Sequence, residues 1–178
     1  MNKLHLFRSF ILFVVCSFGT SCQSPAPKKP KLGGSLEEQA NLCLTSMVEH
    51  DVDTFLEFVT PEELKNSGGV EVLRSLIEKE KKYYEEQGVK FKGKADKPSV
   101  YSKCNGELQC VMHQEITWEL SKPEKKQAKV ESNMVAISKD NGVTWKFLCP
   151  GNVDLATVRT KYPNLCEDLP FQKYENPK

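Results

Sequence analysis

The chain has 178 residues, of which 39% are hydrophobic and 9% aromatic, and its 25 Lys and Arg residues almost balance its 24 Asp and Glu residues. This composition suits one folded domain and argues against a disordered chain. The near-neutral charge argues against a nucleic-acid-binding protein, which needs a clustered positive surface. No apolar stretch reaches the roughly 18 residues of a membrane span.

Residues 1–21 have the organisation of an export signal. Lys3 and Arg8 precede an apolar segment, FILFVVCSF. This segment is too short to cross a bilayer but suits the centre of a signal peptide. Small residues then lead to Cys22 in the sequence GTSC. This segment resembles a bacterial lipoprotein signal, and the resemblance implies cleavage before Cys22 and attachment of a diacylglycerol to its sulfur. A secretory signal with an incidental cysteine is the alternative.

Residues 22–34 are rich in Pro and Lys and are interpreted as a solvated tether between the membrane and one domain, residues 35–178. Gln23 follows the cysteine at the position where lipoproteins of the inner membrane commonly carry Asp. The resemblance therefore implies an outer-membrane lipoprotein of the cell envelope, which faces either the periplasm or the exterior.

The first part of the domain carries helical patterns. Residues 35–38 form a capping box, and the apolar spacing after it predicts a helix that ends near His50. Asp51 or Asp53 is expected to cap a short second helix. Two further helices are predicted, one that starts at Thr60 and Pro61 and one that spans 70–87.

The hydrophobic period changes to two after Pro98. A first strand is predicted to start at Val100, and in a long strand over 108–120 the even-numbered residues form an apolar face. The odd-numbered residues, which include His113, form a mostly polar face that we expect at the surface. The remaining predicted elements are strands over about 128–138 and 143–149, a helix over 153–160 and an irregular tail.

This order predicts an α+β fold, in which the N-terminal helices pack on a curved antiparallel sheet of four to five strands. Over residues 35–150 the order resembles the nuclear transport factor 2-like superfamily, the ketosteroid-isomerase-like cone. A cystatin-like sheet on a single helix is the alternative fold. The cone resemblance implies a cavity between helices and sheet, and Tyr101, Gln114 and Trp118 are the candidates to line it. Gln114 could instead bond a backbone group where the sheet bends.

Five cysteines remain in the domain, and an exported domain can keep disulfides. Cys104 and Cys110 flank a hairpin connection, so a bridge between them is predicted. A second predicted bridge joins Cys149, at the end of a strand, to Cys166. Cys43 lies on the apolar side of a predicted helix and is interpreted as a buried free thiol. A metal site is the weaker interpretation, because the sequence has no CxxC motif.

The segment SKDNGVTW matches the Asp-box pattern SxDxGxTW, which is known from sialidase propellers. One copy in a chain of this length predicts a hairpin with a structural role, in which the carboxylate accepts backbone hydrogen bonds across a tight turn. The residues that carry the pattern are Ser138, Asp140, Gly142, Thr144 and Trp145.

The sequence carries no recognised catalytic motif, so we assign no catalytic residue, no metal and no cofactor. We expect a lipid-anchored envelope protein with a non-catalytic binding or scaffolding domain. Its partners would be the membrane, through the anchor, and a protein, peptidoglycan or a second copy of the chain packed on the sheet face. The alternative is a small cone-fold isomerase, dehydratase or hydrolase in the envelope.

Overall fold

The computed structural model describes residues 33–120 and 126–175. The predicted signal peptide, the lipid attachment at Cys22 and most of the predicted tether fall outside these ranges. Within the two described ranges, no helix is both long enough and apolar enough to cross a bilayer.

In the described part of the chain four helices come first, and side-chain caps fix the starts of the first three. They are α1 (Leu36–Val48), α2 (Val52–Leu56), α3 (Pro61–Asn66) and α4 (Val70–Gln87). The Ser35 Oγ accepts a hydrogen bond from the Glu38 backbone N at 3.2 Å, and Glu38 Oε2 accepts one from the Ser35 backbone N at 2.7 Å. The predicted capping box of α1 is therefore confirmed. Asp51 caps α2, and Thr60 caps α3.

A five-stranded antiparallel sheet follows the helices, so the predicted α+β class is confirmed. The strands are β1 (Val89–Pro98), β2 (Ser102–Cys104), β3 (Glu107–Leu120), β4 (Lys126–Ser138) and β5 (Lys146–Gly151). Their order is β1-β3-β4-β5, and the short β2 pairs with the first residues of β3. The sheet is open, with β1 and β2 along one edge and β5 at the other.

Strand β1 differs from the sequence prediction, which starts the first strand at Val100. The residues of β1 that face α1 are small because the helix lies close to the strand. A Cβ on Gly93 would stand 3.2 Å from Leu44 Cβ. The Asn41 side chain also bonds the backbone N and O of Ala95, at 3.0 and 3.3 Å. Small residues alternating with lysines give a weak hydrophobic period, so the pattern alone does not reveal this strand.

The inner face of the sheet carries the even-numbered residues of β3 and packs against α1 and the segment after α2. The buried side chains of this layer come from helices and strands alike. They include Cys43, Leu44, Phe58, Met112, Met134 and Phe147. This layer supplies the main core of the domain.

The outer face carries the odd-numbered residues of β3, and the C-terminal part of the chain covers half of it. Helix α5 (Leu155–Lys161) packs Val158 against Val111 and Val135 of the sheet, together with Leu165 of the tail. The tail is irregular, as predicted, but it is packed on the sheet. The expectation that the odd-numbered face lies at the surface is therefore wrong for the part of the sheet around Val111. There α5 and the tail cover the apolar residues of the outer face.

The disulfide joins Cys104 to Cys166, so both predicted pairings are wrong. Asn105 and Gly106 form a two-residue turn with φ of 51° and 78°, which makes Glu107 the partner of Cys104 across the hairpin. Cys110 lies in the core on the inner face of the sheet. Cys104 instead packs against the apolar cluster around Val111 on the outer face, which we call the outer cluster.

The pairing of Cys149 with Cys166 fails for a similar reason. Strand alternation puts Cys149 on the side of Phe147, away from the outer cluster that holds Cys166. Cys43, Cys110 and Cys149 are free thiols. Cys43 is buried, as predicted, and burial raises its pKa well above the usual thiol value.

Candidate functional site

The three residues predicted to line a cone cavity lie at different levels of the sheet. Gln114 is buried on the inner face, where its Nε2 donates to Ser132 Oγ at 2.8 Å. Trp118 lies four residues further along β3, about 13 Å away at roughly 3.3 Å per residue, opposite Phe91. Tyr101 is exposed in the loop before β2, and its ring lies 6.1 Å from that of Trp145. The structure therefore does not bring these side chains together around one pocket.

The inner layer between Gln114 and the Asp-box is filled by side chains. Leu44, Phe58, Met112 and Met134 are all fully buried there. A cone-fold enzyme would hold its substrate in this layer, between helices and sheet. Between Gln114 and the Asp-box, apolar side chains occupy the space that such a substrate would need.

A group of polar side chains lies on the outer face, around His113. The Nδ1 atom of His113 lies 2.8 Å from Asp96 Oδ2, and its Nε2 lies 3.2 Å from Glu131 Oε1. The ring of Tyr174, from the tail, packs on the imidazole with 5.1 Å between ring centroids and an angle of 33° between the ring planes. We call these four residues, Asp96, His113, Glu131 and Tyr174, the outer-face site.

Lysines neutralise the carboxylates of the outer-face site. Lys94 Nζ lies 2.9 Å from Asp96 Oδ1, and Lys129 Nζ lies 3.3 Å from Glu131 Oε1. The hydrogen bond from His113, followed by that from Lys94, lowers the pKa of Asp96 below its usual value. Alternating charges on neighbouring strands thus hold the imidazole in one orientation.

A small cavity of about 200 Å³ opens beside the outer-face site. His113 and Tyr174 line it together with Lys97, Ser99, Val111, Asn133, Pro170 and Gln172. An Asp–His pair beside a serine is a geometry that catalysis can use when the free imidazole nitrogen faces the nucleophile. Here His113 Nε2 is buried and lies against Glu131, so the ring is not arranged as a base for Ser99.

The wall of this cavity is held by side-chain amides that pair with the tail as a strand would. Asn133 Nδ2 donates to Gln172 O at 2.7 Å, and Asn133 Oδ1 accepts from Gln172 N at 3.1 Å. Asn152 makes the same two bonds with the backbone of Tyr174. Nearer the disulfide, Gln109 Nε2 donates to Asn164 O and Gln109 Oε1 accepts from Cys166 N. These pairs fix the tail and so place Tyr174 over His113.

A second cavity, of about 450 Å³ and wide open, lies between the α1–α2 connection and α4. Its lining is charged, with an ion pair of 2.6 Å between Arg74 Nη2 and Asp53 Oδ1. Burial and then the nearby charge of Lys81 lower the pKa of His50. Among the described residues, no group of three His, Cys, Asp or Glu side chains is placed to hold a metal ion.

The Asp-box residues form a closed hydrogen-bond network between β4 and β5. Asp140 Oδ1 accepts from Thr144 N at 2.9 Å and Oδ2 accepts from the Thr144 hydroxyl at 2.6 Å, while Ser138 Oγ accepts from Gly142 N at 2.8 Å. Trp145 Nε1 donates to Gly142 O at 3.0 Å. The hydrogen bonds from Thr144, followed by that from Ser138, lower the pKa of Asp140 to about 2. Each member of the box thus bonds another member, which is an arrangement with a structural role.

The sequence pattern places His113 on the polar face of a strand but does not indicate the other members of the outer-face site. Asp96 and His113 are 17 residues apart and come together because β1 pairs with β3, with an irregular register between Ala95 and Pro98. A charged residue opposite a histidine on a neighbouring strand is a usable signal only once both strands and their register are known. Because the sequence pattern does not indicate β1, it does not place Asp96 opposite His113.

Comparison of the chain with protein-family models gives no match, and comparison with curated proteins gives none. Function is therefore inferred from the side chains of the domain and from the features of the sequence.

Proposed function

We propose that this protein is a lipid-anchored protein of the bacterial cell envelope, with a non-catalytic binding domain. The disulfide between Cys104 and Cys166 is the observation that carries the proposal. Such bonds persist outside the cytoplasm and are rare within it. The disulfide therefore agrees with the export signal and the lipidation cysteine, Cys22, that the sequence resemblance implies.

The binding surface in this proposal is the outer-face site with its cavity. Ligand sites are concave and present a few polar groups held in fixed directions. The cavity meets this description, since His113 is held between Asp96 and Glu131, and the exposed Lys97 stands at the rim. We propose a protein segment or a peptidoglycan fragment as the bound partner, because both offer carboxylates that the exposed ammonium group of Lys97 can bind.

The cone-fold enzyme is the less favoured function. An enzyme of that kind needs an acid or base in an apolar pocket between helices and sheet. The inner layer holds Gln114, which is neutral, and the apolar side chains of Met112 and Met134 fill the space beside it. The relationship to the nuclear transport factor 2-like superfamily remains a proposal, supported by the order of helices and strands.

The anchor is tested by expressing the full chain in a two-membrane bacterium and labelling with a palmitate analogue. We expect incorporation into the wild type and into Cys16→Ser, which is the matched control inside the signal region, and none into Cys22→Ser. The two labelled proteins should fractionate with the outer membrane. Equal labelling of Cys22→Ser, or a wild-type chain in the cytosol with Cys104 and Cys166 reduced, would contradict the proposal.

Binding is tested in intact cells with a photo-crosslinking amino acid in the full-length chain. It replaces Lys97 at the cavity rim in one variant and Lys79, an exposed residue of α4, in the control. We expect a covalent adduct from the first position only. Sensitivity of the adduct to protease or to lysozyme then distinguishes a protein from a peptidoglycan partner. Adducts from both positions, or from neither, would contradict binding at this surface.

A further inference from the structure

One end of the domain exposes three large apolar side chains. Val100 is 77% exposed, Tyr101 47% and Val143 66%. Val100 and Tyr101 lie in the loop between β1 and β2, and Val143 lies in the Asp-box turn between β4 and β5. Single exposed apolar residues are common, but a contiguous group indicates a contact surface.

Trp145 joins these residues into one patch. Its ring packs beside that of Tyr101, with 6.1 Å between centroids, and its indole nitrogen bonds the backbone of Gly142, next to Val143. The indole itself is almost fully buried. The two loops therefore present Val100, Tyr101 and Val143 outward over a rigid base, and we call these three residues the apolar end.

The chain enters the domain beside the apolar end. Gln39, in the first turns of α1, donates through its Nε2 to Gly34 O and to Val143 O, each at 3.1 Å. Its Oε1 accepts from Trp145 N at 3.1 Å. One buried side chain thus joins the point where the tether arrives to the turn that carries Val143.

We propose that the apolar end rests on the lipid surface to which the protein is anchored. This inference rests on the proposed lipid anchor at Cys22. The 12 residues from Gln23 to Gly34 can span at most about 40 Å when fully extended, at roughly 3.3–3.6 Å per residue. The tether enters the domain at the end that carries Val100, Tyr101 and Val143, so the anchor keeps this end within about 40 Å of the bilayer.

The side chains of the apolar end suit a bilayer surface. Valines can enter the boundary between headgroups and acyl chains, and a tyrosine places its ring there with its hydroxyl in water. The exposed apolar residues of α4, which include Leu76 at 44%, provide a comparison. They have similar chemistry and exposures of 39–44%, lower than those of Val100 and Val143, and they lie on a helix that the tether does not enter.

The test uses the whole lipidated chain, residues 22–178, in vesicles of phosphatidylethanolamine and phosphatidylglycerol, with and without brominated acyl chains. A tryptophan is introduced in Val143→Trp or in Val100→Trp, and in the control Leu76→Trp. The emission of Trp118 and Trp145 is subtracted with the wild type. We expect brominated lipid to remove about half of the emission added at Val143 or Val100, and little of that added at Leu76. Because the two variants lie on separate loops, the test can still be read if one of the two substitutions disturbs the fold.

The mass of each chain is measured first, which separates the two proposals. A chain that carries no lipid contradicts the proposed function. A lipidated chain in which neither Val143→Trp nor Val100→Trp is quenched more than Leu76→Trp contradicts the membrane contact alone. The added tryptophan emission could instead change with the number of protein chains per vesicle and not with brominated lipid. That result would assign the apolar end to contact with a second copy of the chain and would also overturn the inference.

Discussion

Asn133 binds the backbone of Gln172 with both atoms of its amide, donating to the carbonyl at 2.7 Å and accepting from the N–H at 3.1 Å. Asn133 is fully buried, and Gln172 lies in a tail without regular secondary structure. The side chain therefore supplies the two hydrogen bonds that a neighbouring strand would give to the tail. In this way a segment with no strand partner is held across the outer face.

Substitution of Asn133 should loosen the tail. In Asn133→Ala the N–H and carbonyl of Gln172 lose their partners, and we expect a cost of about 2 kcal/mol in the free energy of unfolding. Hydrogen exchange at the Gln172 amide should accelerate. Asn152→Ala is the matched control, because it removes the same pair of bonds to Tyr174 at an exposed position, and it should cost less than about 1 kcal/mol. Unchanged exchange at Gln172 in Asn133→Ala would show that other contacts hold the tail.

The disulfide should be a large part of the stability of the domain. It closes a loop with a sequence separation of 62, for which the chain-entropy estimate is about 4 kcal/mol. We expect Cys104→Ser, Cys166→Ser and reduction of the wild type to lower the urea midpoint by similar amounts. Cys149→Ser changes an exposed free thiol and should leave the midpoint near that of the wild type.

Peptide mapping without reduction provides the direct check of the pairing. It should yield one linked pair, Cys104 with Cys166. A linked pair of Cys104 with Cys110, or of Cys149 with Cys166, would contradict the structure described above.

The contact between α1 and β1 should be disturbed by a side chain at Gly93. In Gly93→Ala the new Cβ would stand 3.2 Å from Leu44 Cβ and 3.4 Å from Val48 Cγ1, so α1 would have to move by a few tenths of an ångström. We expect a loss of about 1–3 kcal/mol in the free energy of unfolding, measured with urea. Gly33→Ala has no atom within 4 Å of the added carbon and should be neutral. A neutral Gly93→Ala would mean that α1 is not packed as closely as described.

The Asp-box should make stability depend on acid pH. The folded-state pKa of Asp140 is about 2, below the ordinary value of 3.8, so its carboxylate stabilises the fold at pH values above 3.8. That contribution is lost as the pH falls towards 2. We therefore expect Asp140→Asn to be less stable than the wild type near neutral pH, with a difference that shrinks as the pH falls through this range. Urea midpoints measured across the range provide the test, and a difference independent of pH would assign the effect to shape rather than to charge.

Local signals in the sequence predicted a good part of the fold. Caps at Ser35 and Thr60 bond neighbours three residues away, so they can be recognised without knowledge of the rest of the chain. The residues of β3 that face the core are also predictable from the sequence. Cys110 and Met112 follow a period of two, and both lie in the core on the inner face. In both cases the deciding contacts are local or repeat along one element.

Contacts between distant segments escaped prediction. Asn133 in a strand has the polarity of a surface residue, and its sequence neighbours do not indicate that a tail will cover it. The disulfide depends in the same way on α5 and the tail folding back over the outer face, which brings Cys166 to Cys104 rather than to Cys149. The outer-face site combines both effects, because Asp96 lies in the unrecognised β1 and Tyr174 lies in the tail.

Gln39 also decides how the domain bears mechanical load. Any tension that reaches the chain ahead of Gly34 arrives at a residue whose carbonyl is bonded to Gln39, and the same amide is bonded to the backbone of Val143 and Trp145. We expect such a force to be divided between the first turn of α1 and a turn of the sheet 104 residues further along the chain. Unwinding α1 from its first residue would then require the bonds from Gln39 to Val143 and Trp145 to break as well.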